Sequence, residues 1–183
     1  VGRALRTFLR QQIALFHCQV YSPAWRYRFL EALDEAGIQV ALYGKNWEQN
    51  QRLSHLSRGP VNRQGELNYV YNFTDINLSI NHSLSMTHRL VECALAGGFI
   101  MVAYHDPAKD YLPASDYFEP GRELVTFESP QDLVEKCRYY LAHPEERRRI
   151  ALAMREKALQ ELTATAGARR VLKRWREILR RLI

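Results

Sequence analysis

Apolar and polar positions divide the chain into short runs and longer periodic stretches, and the clearest succession of them fills residues 75–104. Ile76, Leu78 and Ile80 alternate with polar neighbours as a short strand does, and 81–85 is a polar loop. Met86, Leu90, Cys93, Ala94 and Ala96 then recur at helical spacing, and Gly97 and Gly98 stop that helix. Residues 99–103 (FIMVA) form an unbroken apolar run, the pattern of a strand covered on both faces of a parallel sheet. Strand, crossover helix and second strand make a βαβ unit, and such sheets bind ligands at the carboxyl ends of their strands. The loop 81–85 and the free amides of the following helical turn are therefore expected to face a ligand. Free amides and the helix dipole together favour an anion such as phosphate.

The same reading extends in both directions. Residues 1–11 read as a linker or lead-in helix, 13–17 (IALFH) as a first strand, and 24–36 as a helix with Trp25, Phe29, Leu30 and Leu33 on its apolar face. A second strand is expected over 38–43, a short helix over 48–55, a brief extended segment at 58–61 and a helix over 65–73. Beyond Tyr104, residues 108–112 read as a helical turn, 119–122 as a turn and 123–127 as a last strand. Ser129 then caps a helix with Pro130 at its first position, His143 and Pro144 break it, and helices over 145–162 and 165–183 complete the chain. Strands alternating with helices in this way predict an α/β fold, a doubly wound and mostly parallel sheet, with extra helices at the carboxyl end. The expected organisation is one domain over 12–163 followed by a separate helix over 164–183.

Composition narrows the class. A chain of 183 residues with 46% hydrophobic and 25% charged content fits one globular domain with a real core. No apolar run approaches the roughly 20 residues that cross a bilayer, and the amino end lacks the pattern of a signal segment. The chain starts at Val1, which leaves it readable as a piece of a longer protein. Cys18, Cys93 and Cys137 sit in apolar contexts without a CxxC pair and read as core thiols of a reducing, cytoplasmic compartment. The net charge of +6 is local: residues 169–183 hold seven basic residues against Glu177 alone, which leaves nineteen of each sign elsewhere. A nucleic-acid-binding body carries its own basic face, so that class is disfavoured. His105, Asp106 and Asp110 lack the fixed spacing of metal ligands, and no metal is expected. A nucleophile elbow, a P-loop and a dinucleotide glycine motif are all missing from the sequence.

Three stretches together carry a resemblance: GPVNRQGELNYVYNFTDINLSI, VECALAGGFIMV and YFEPGRELVTFESPQDLVEKCRYYLAHPEERRRIA, with ALYGKNWE upstream of them. In order and spacing they resemble the carboxy-terminal, nucleotide-sugar-binding domain of two-domain (GT-B fold) glycosyltransferases, a Rossmann-like domain. Within that group the similarity is to the group-1-like branch that includes the spore-maturation (CgeB-like) proteins. It covers about residues 12–165 and is most specific over 59–150.

The resemblance implies a nucleotide-diphosphate sugar as donor substrate, no further cofactor, and a partner amino-terminal acceptor domain that this chain does not contain. It matches Glu92 to the glutamate that bonds the ribose hydroxyls, a task suited to a carboxylate that accepts two protons at once. The bland alternative is an exposed helix glutamate. Arg89 either contacts the diphosphate or pairs with Glu92 at i, i+3. Ser85, Met86 and Thr87 are expected to offer backbone amides to the phosphates. Gly59, Pro60 and Val61 match the loop that lines the nucleobase, or form a simple turn. Lys45 and Arg26 are placed to reach the phosphates, or are solvated surface charges. The sequence departs from the family at Leu84, where many retaining enzymes carry a second glutamate that contacts the sugar, and Ser85 and Thr87 stand where glycines are usual. His82 and His88 are candidates to take over part of that contact.

The last helix sets Val171, Leu172, Trp175, Ile178, Leu179, Leu182 and Ile183 on one stripe and arginines on the other. It is expected to pack on its own domain or on the acceptor domain, or to make peripheral contact with an anionic membrane through 165–183. Two readings thus stand: the donor-binding half of a glycosyltransferase that is inactive alone, or a non-catalytic interaction module of the same fold whose basic helix holds a membrane or protein partner.

Overall fold

A computed structural model describes residues 2–16, 21–62, 65–110 and 112–182. Its elements, in order, are α1 (Gly2–Phe16), α2 (Ser22–Glu35), β1 (Leu42–Tyr43), β2 (Ser57–Gly59), α3 (Glu66–Phe73), β3 (Asn77–Ser79), α4 (His88–Ala96), β4 (Ile100–Ala103), β5 (Val125–Phe127), α5 (Pro130–Ala142), α6 (Pro144–Glu161) and α7 (Ala164–Leu182). β1 pairs with β2, and β3, β4 and β5 lie side by side in a second sheet, all in parallel. The α/β class with parallel sheets and extra carboxyl-end helices is as expected.

β4 explains the unbroken apolar run at 99–103. It is the central strand of its sheet and all four of its residues are buried, because each face looks into a different core. Met101 and Ala103 pack with Phe29, Leu30 and Leu33 of α2 and with Leu133 and Cys137 of α5. Ile100 and Val102 pack on the other side with Tyr71 of α3, Leu90, Cys93 and Ala94 of α4, and Met154 and Ala158 of α6. Gly98 is required where α3 and β3 meet this strand: a Cβ there would lie 2.2 Å from the Tyr71 carbonyl oxygen and 2.9 Å from Asn77 Nδ2. That Asn77 amide donates to the carbonyls of Tyr71 (2.9 Å) and Phe99 (3.1 Å), locking α3 to the amino end of β4.

Several local expectations are corrected. Residues 13–16 are helical, not a strand, because Leu5, Phe8, Leu9, Ile13 and Phe16 keep helical spacing through the short apolar run. His17 and Cys18 lie outside the described residues. The second strand shrinks to Leu42–Tyr43, with Ile38 and Val40 packed on the core without a strand partner. The helix expected over 48–55 is two 3-10 turns, Trp47–Gln49 and Ser54–Leu56. Between them the Asn50 side chain accepts from the amides of Arg52 (3.0 Å) and Leu53 (2.9 Å), a local bond that competes with helix formation. The strand expected over 123–127 joins the sheet from Val125 to Phe127, while Leu124 makes an isolated bridge with Pro120. The turn expected at 108–112 closes earlier, where Lys109 and Asp110 donate to the Asp106 carbonyl. Tyr111 of that stretch lies outside the described residues.

Candidate functional site

The carboxyl ends of β3 and β4 lead into two loops, 80–87 and 104–114, that are fastened to each other. His105 Nε2 donates to the Asn81 carbonyl (2.7 Å). Asp110, only 9% exposed, accepts from the Ser85 amide (3.0 Å), the Ser85 hydroxyl (2.5 Å) and the Leu112 amide (3.0 Å). The Ser85 hydroxyl in turn accepts from the Ala114 amide (2.8 Å), and the Met86 amide donates to the Leu112 carbonyl (3.2 Å). Burial alone would raise the Asp110 carboxyl. The Ser85 hydroxyl, the amides of Leu112 and Ser85, and nearby His105 outweigh it and hold the group below the usual carboxylate range.

This fastening corrects one expectation. The amides of Ser85 and Met86 already have acceptors, and both residues are buried, so they hold the loop instead of facing a ligand. Helix α4 starts two residues later than its apolar pattern suggests, because Thr87 caps it: Thr87 Oγ1 accepts from the Leu90 amide (3.2 Å) and shares a hydrogen bond with Ser79 Oγ (3.0 Å). In that geometry the amides of His88 and Arg89 have no intrahelical carbonyl to reach.

Arg26, on the first turns of α2, approaches Arg89 on α4 closely enough that the two charges repel. Burial, and then Arg89, push the Arg26 guanidinium below its ordinary value, and its buried Nε has no hydrogen-bond partner among the described residues. Glu92 lies one turn beyond Arg89, half-buried, and the Tyr71 hydroxyl donates to its Oε2 (3.5 Å). Burial raises the Tyr71 phenol, Arg89 draws it back, and Glu92 raises it further. Tyr21 sets its ring edge-on to His82, with centroids 5.7 Å apart, and Trp25 leans on His105 at 6.3 Å. The start of α2 thus overhangs the same edge.

Arg26 thus comes near Arg89, and Glu92 follows Arg89 one turn along α4; His82 meets Tyr21, and exposed His88 sits at the helix start. Lys45, Gly59, Pro60 and Val61 sit instead at the ends of the two-stranded sheet, where the Gly44 amide donates to the Gly59 carbonyl (2.9 Å). No described hydrogen bond, ion pair or ring contact ties them to the arginine pair. His105, Asp106 and Asp110 each have other partners: Asp106 Oδ1 accepts from the Ala108 amide, and its other oxygen pairs with Lys109. Among the described residues no three His, Cys, Asp or Glu side chains converge as metal ligands.

Two open concavities lie elsewhere. One of about 480 Å³ is lined by Asp75, Gly97, Arg148 and Arg155 at the amino ends of the strands, and one of about 570 Å³ by Tyr27, Asn46 and Arg52. The first of these is also rich in arginine, with Arg147 beside Arg148 and Arg155, but ligands of parallel sheets bind at the carboxyl ends, the edge near which Arg26 stands with its Nε lacking a partner among the described residues.

A family model described as "Glycosyl transferase-like" matches residues 19–173. The chain belongs to the glycosyl transferase-like family. The match begins after α1 and runs into α7. No curated protein matches this glycosyl transferase-like chain. Among solved structures it is similar to a glycosyltransferase from Rickettsia africae, with a TM-score of 0.62 and 14% identity over 84% of this chain and 44% of that one. It is similar also to the sucrose-phosphate synthase of Thermosynechococcus elongatus, with a TM-score of 0.61 and 14% identity over 84% of this chain and 43% of the other. At that identity the likeness is one of fold. The chain spans less than half the length of either structure.

Sequence reasoning missed Asp110 as the holder of the loop and Tyr71 as the neighbour of Glu92. Both partners are distant along the chain, 25 and 21 residues away, and no local spacing announces them. The nearest signal was the polar cluster of 105–110, which reads as a surface loop until Ser85 is seen beneath it.

Proposed function

We propose that this chain is the nucleotide-sugar-binding half of a glycosyltransferase, with the donor diphosphate between Arg26 and Arg89 and the ribose on Glu92. The observation that carries the reading is the arginine pair. The charge of Arg89 adds to burial in pushing Arg26 below its ordinary value, the half-buried Arg26 Nε has no partner among the described residues, and Arg89 stands in the first turn of a capped helix. An anion between them removes the repulsion, completes the hydrogen bonding and meets the amides of His88 and Arg89. Glu92 then stands one turn along α4, where its two oxygens reach a vicinal diol. Thr87 contributes its cap and Lys45 long-range charge. Gly59, Pro60 and Val61 border the nucleobase from the neighbouring sheet.

The acceptor and the base that activates it would come from an amino-terminal acceptor domain across a cleft, which positions the two substrates for transfer. The arginines and helix amides would stabilise charge on the leaving diphosphate. Leu84 gives the sugar no carboxylate, so its contacts fall to His82 and His88. The resemblance of the sequence over 59–150 supports a reading in the spore-maturation (CgeB-like) branch. Its buried thiols Cys93 and Cys137 suit a cytoplasmic setting.

Calorimetric titration of UDP, GDP and ADP into the chain tests this. One of the three binds weakly, and Arg26→Ala or Arg89→Ala weakens that binding by about tenfold, the scale of one charge-assisted contact. Absence of binding by all three at millimolar concentration overturns the reading. The missing carboxylate at Leu84 favours the second reading, a non-catalytic module of this fold, and Glu92→Ala with undiminished nucleotide binding would decide for it.

A further inference from the structure

Helix α7 carries a charge and an apolar stripe that neither the fold nor the proposed donor site uses. It meets the body through its first turns. Ala166 is 8% exposed, its amide donates to Thr163 Oγ1 (3.2 Å), and Arg170 bonds the Glu161 carbonyl. Beyond that, Val171, Leu172, Trp175, Ile178 and Leu179 are between 42% and 68% exposed. At about 100° per residue they fall within an arc roughly 120° wide, with Trp175 at its centre. Arg169, Arg170, Lys173, Arg174, Arg176 and Arg180 occupy the rest of the circumference, joined there by one acidic side chain, Glu177.

We propose that α7 lies along the headgroup region of an anionic lipid bilayer, its stripe toward the acyl chains and its arginines among the phosphates. Charge complementarity argues for lipid. Residues 169–183 sum to +6, the net charge of the whole chain, against +3 for the three arginines of α1, so α7 is the more strongly positive of the two exposed amphipathic helices. Arg174 and Arg176 border the stripe on its two sides, from which their stems lie along hydrocarbon while the guanidiniums reach phosphate. Trp175, at mid-stripe, suits the boundary between headgroup and acyl chain. A second copy of α7 would instead bring cations against cations. No described helix is long and apolar enough to cross a membrane, so α7 lies on the surface and does not span. The inference is independent of whether the donor site binds nucleotide.

The test is co-sedimentation of the full chain with phosphatidylcholine vesicles and with vesicles that also contain phosphatidylglycerol, at low and high salt. The chain sediments with the anionic vesicles alone, salt releases it, and Trp175 emission moves to the blue, a shift lost in Trp175→Phe. The double variant Arg174→Glu/Arg176→Glu, altered only at exposed positions and checked for fold by circular dichroism, binds about thirtyfold more weakly or less, from roughly a factor of five per basic residue removed. Equal binding to both vesicle types overturns the proposal. So does undiminished binding of the double variant, which would move the contact to the exposed apolar face of α1. Concentration-dependent dimerisation that shifts Trp175 emission without vesicles overturns it as well.

Discussion

Replacing Asp110 by asparagine tests the fastening between the two loops at the carboxyl ends of β3 and β4. The carboxylate receives three hydrogen bonds, from the Ser85 amide and hydroxyl at one oxygen and from the Leu112 amide at the other. An asparagine of the same shape keeps one oxygen and must point its NH₂ at either the Ser85 donors or the Leu112 donor. At least one bond is lost, two donors abut, and the surviving bonds lose their charge assistance. With a hydrogen bond to a charged group worth roughly 1.5–3 kcal/mol, the variant is destabilised by about 3 kcal/mol. For a chain of this length that is a fall in melting temperature of roughly 6–12 °C.

Urea unfolding at neutral pH, repeated down to about pH 3, measures both size and sign. The folded carboxyl titrates below its unfolded value of about 3.9, so its contribution is complete above about pH 4. It is lost as pH falls through the folded pKa, because the unfolded chain binds the proton first. Asparagine does not titrate, so the gap between wild type and variant narrows in that acid range. A gap below about 0.5 kcal/mol at neutral pH, the scale of an ordinary surface change, or one that does not move with pH, refutes the reasoning.

Gly98→Ala should cost about 2–3 kcal/mol, since its Cβ would meet the Tyr71 carbonyl oxygen at 2.2 Å and Cys93 Sγ at 2.8 Å; wild-type stability in thermal unfolding would contradict the packing. Gly121→Ala meets nothing within 4 Å but sits at φ +80°, so the same assay should show a smaller loss, about 1 kcal/mol, from backbone strain alone. Burial pushes the Cys93 thiol up to about 12 and the Cys137 thiol up to about 11, so at pH 8 neither should react with a disulfide reagent until urea opens the fold. Peptide mapping by mass spectrometry distinguishes them from Cys18, and rapid native labelling of either would count against their burial.

Residues 75–104 show how far the chain's own pattern reaches. The apolar run at 99–103, the spacing of Leu90, Cys93 and Ala94, and the Gly97 stop determined strand, helix and turn there, because a buried strand and an amphipathic helix leave periods of two and 3.6 in any sequence. Ser129 and Pro130 likewise announced α5, since a cap and a ring-fixed first residue act locally. The same local reasoning failed at 13–16, where a four-residue apolar run fits a strand or one side of a helix equally well.

Glu92 and Arg89 were visible as a pair one helical turn apart. Tertiary structure alone brought Arg26 to Arg89 from 63 residues away, and Tyr71 to Glu92 from 21. It also gave the Ser85 amide to Asp110. Periodicity records which face of an element is covered, but not which other element covers it. Which charges meet across the strand ends depends on how the parallel strands order and pack, and no short stretch of sequence encodes that contact.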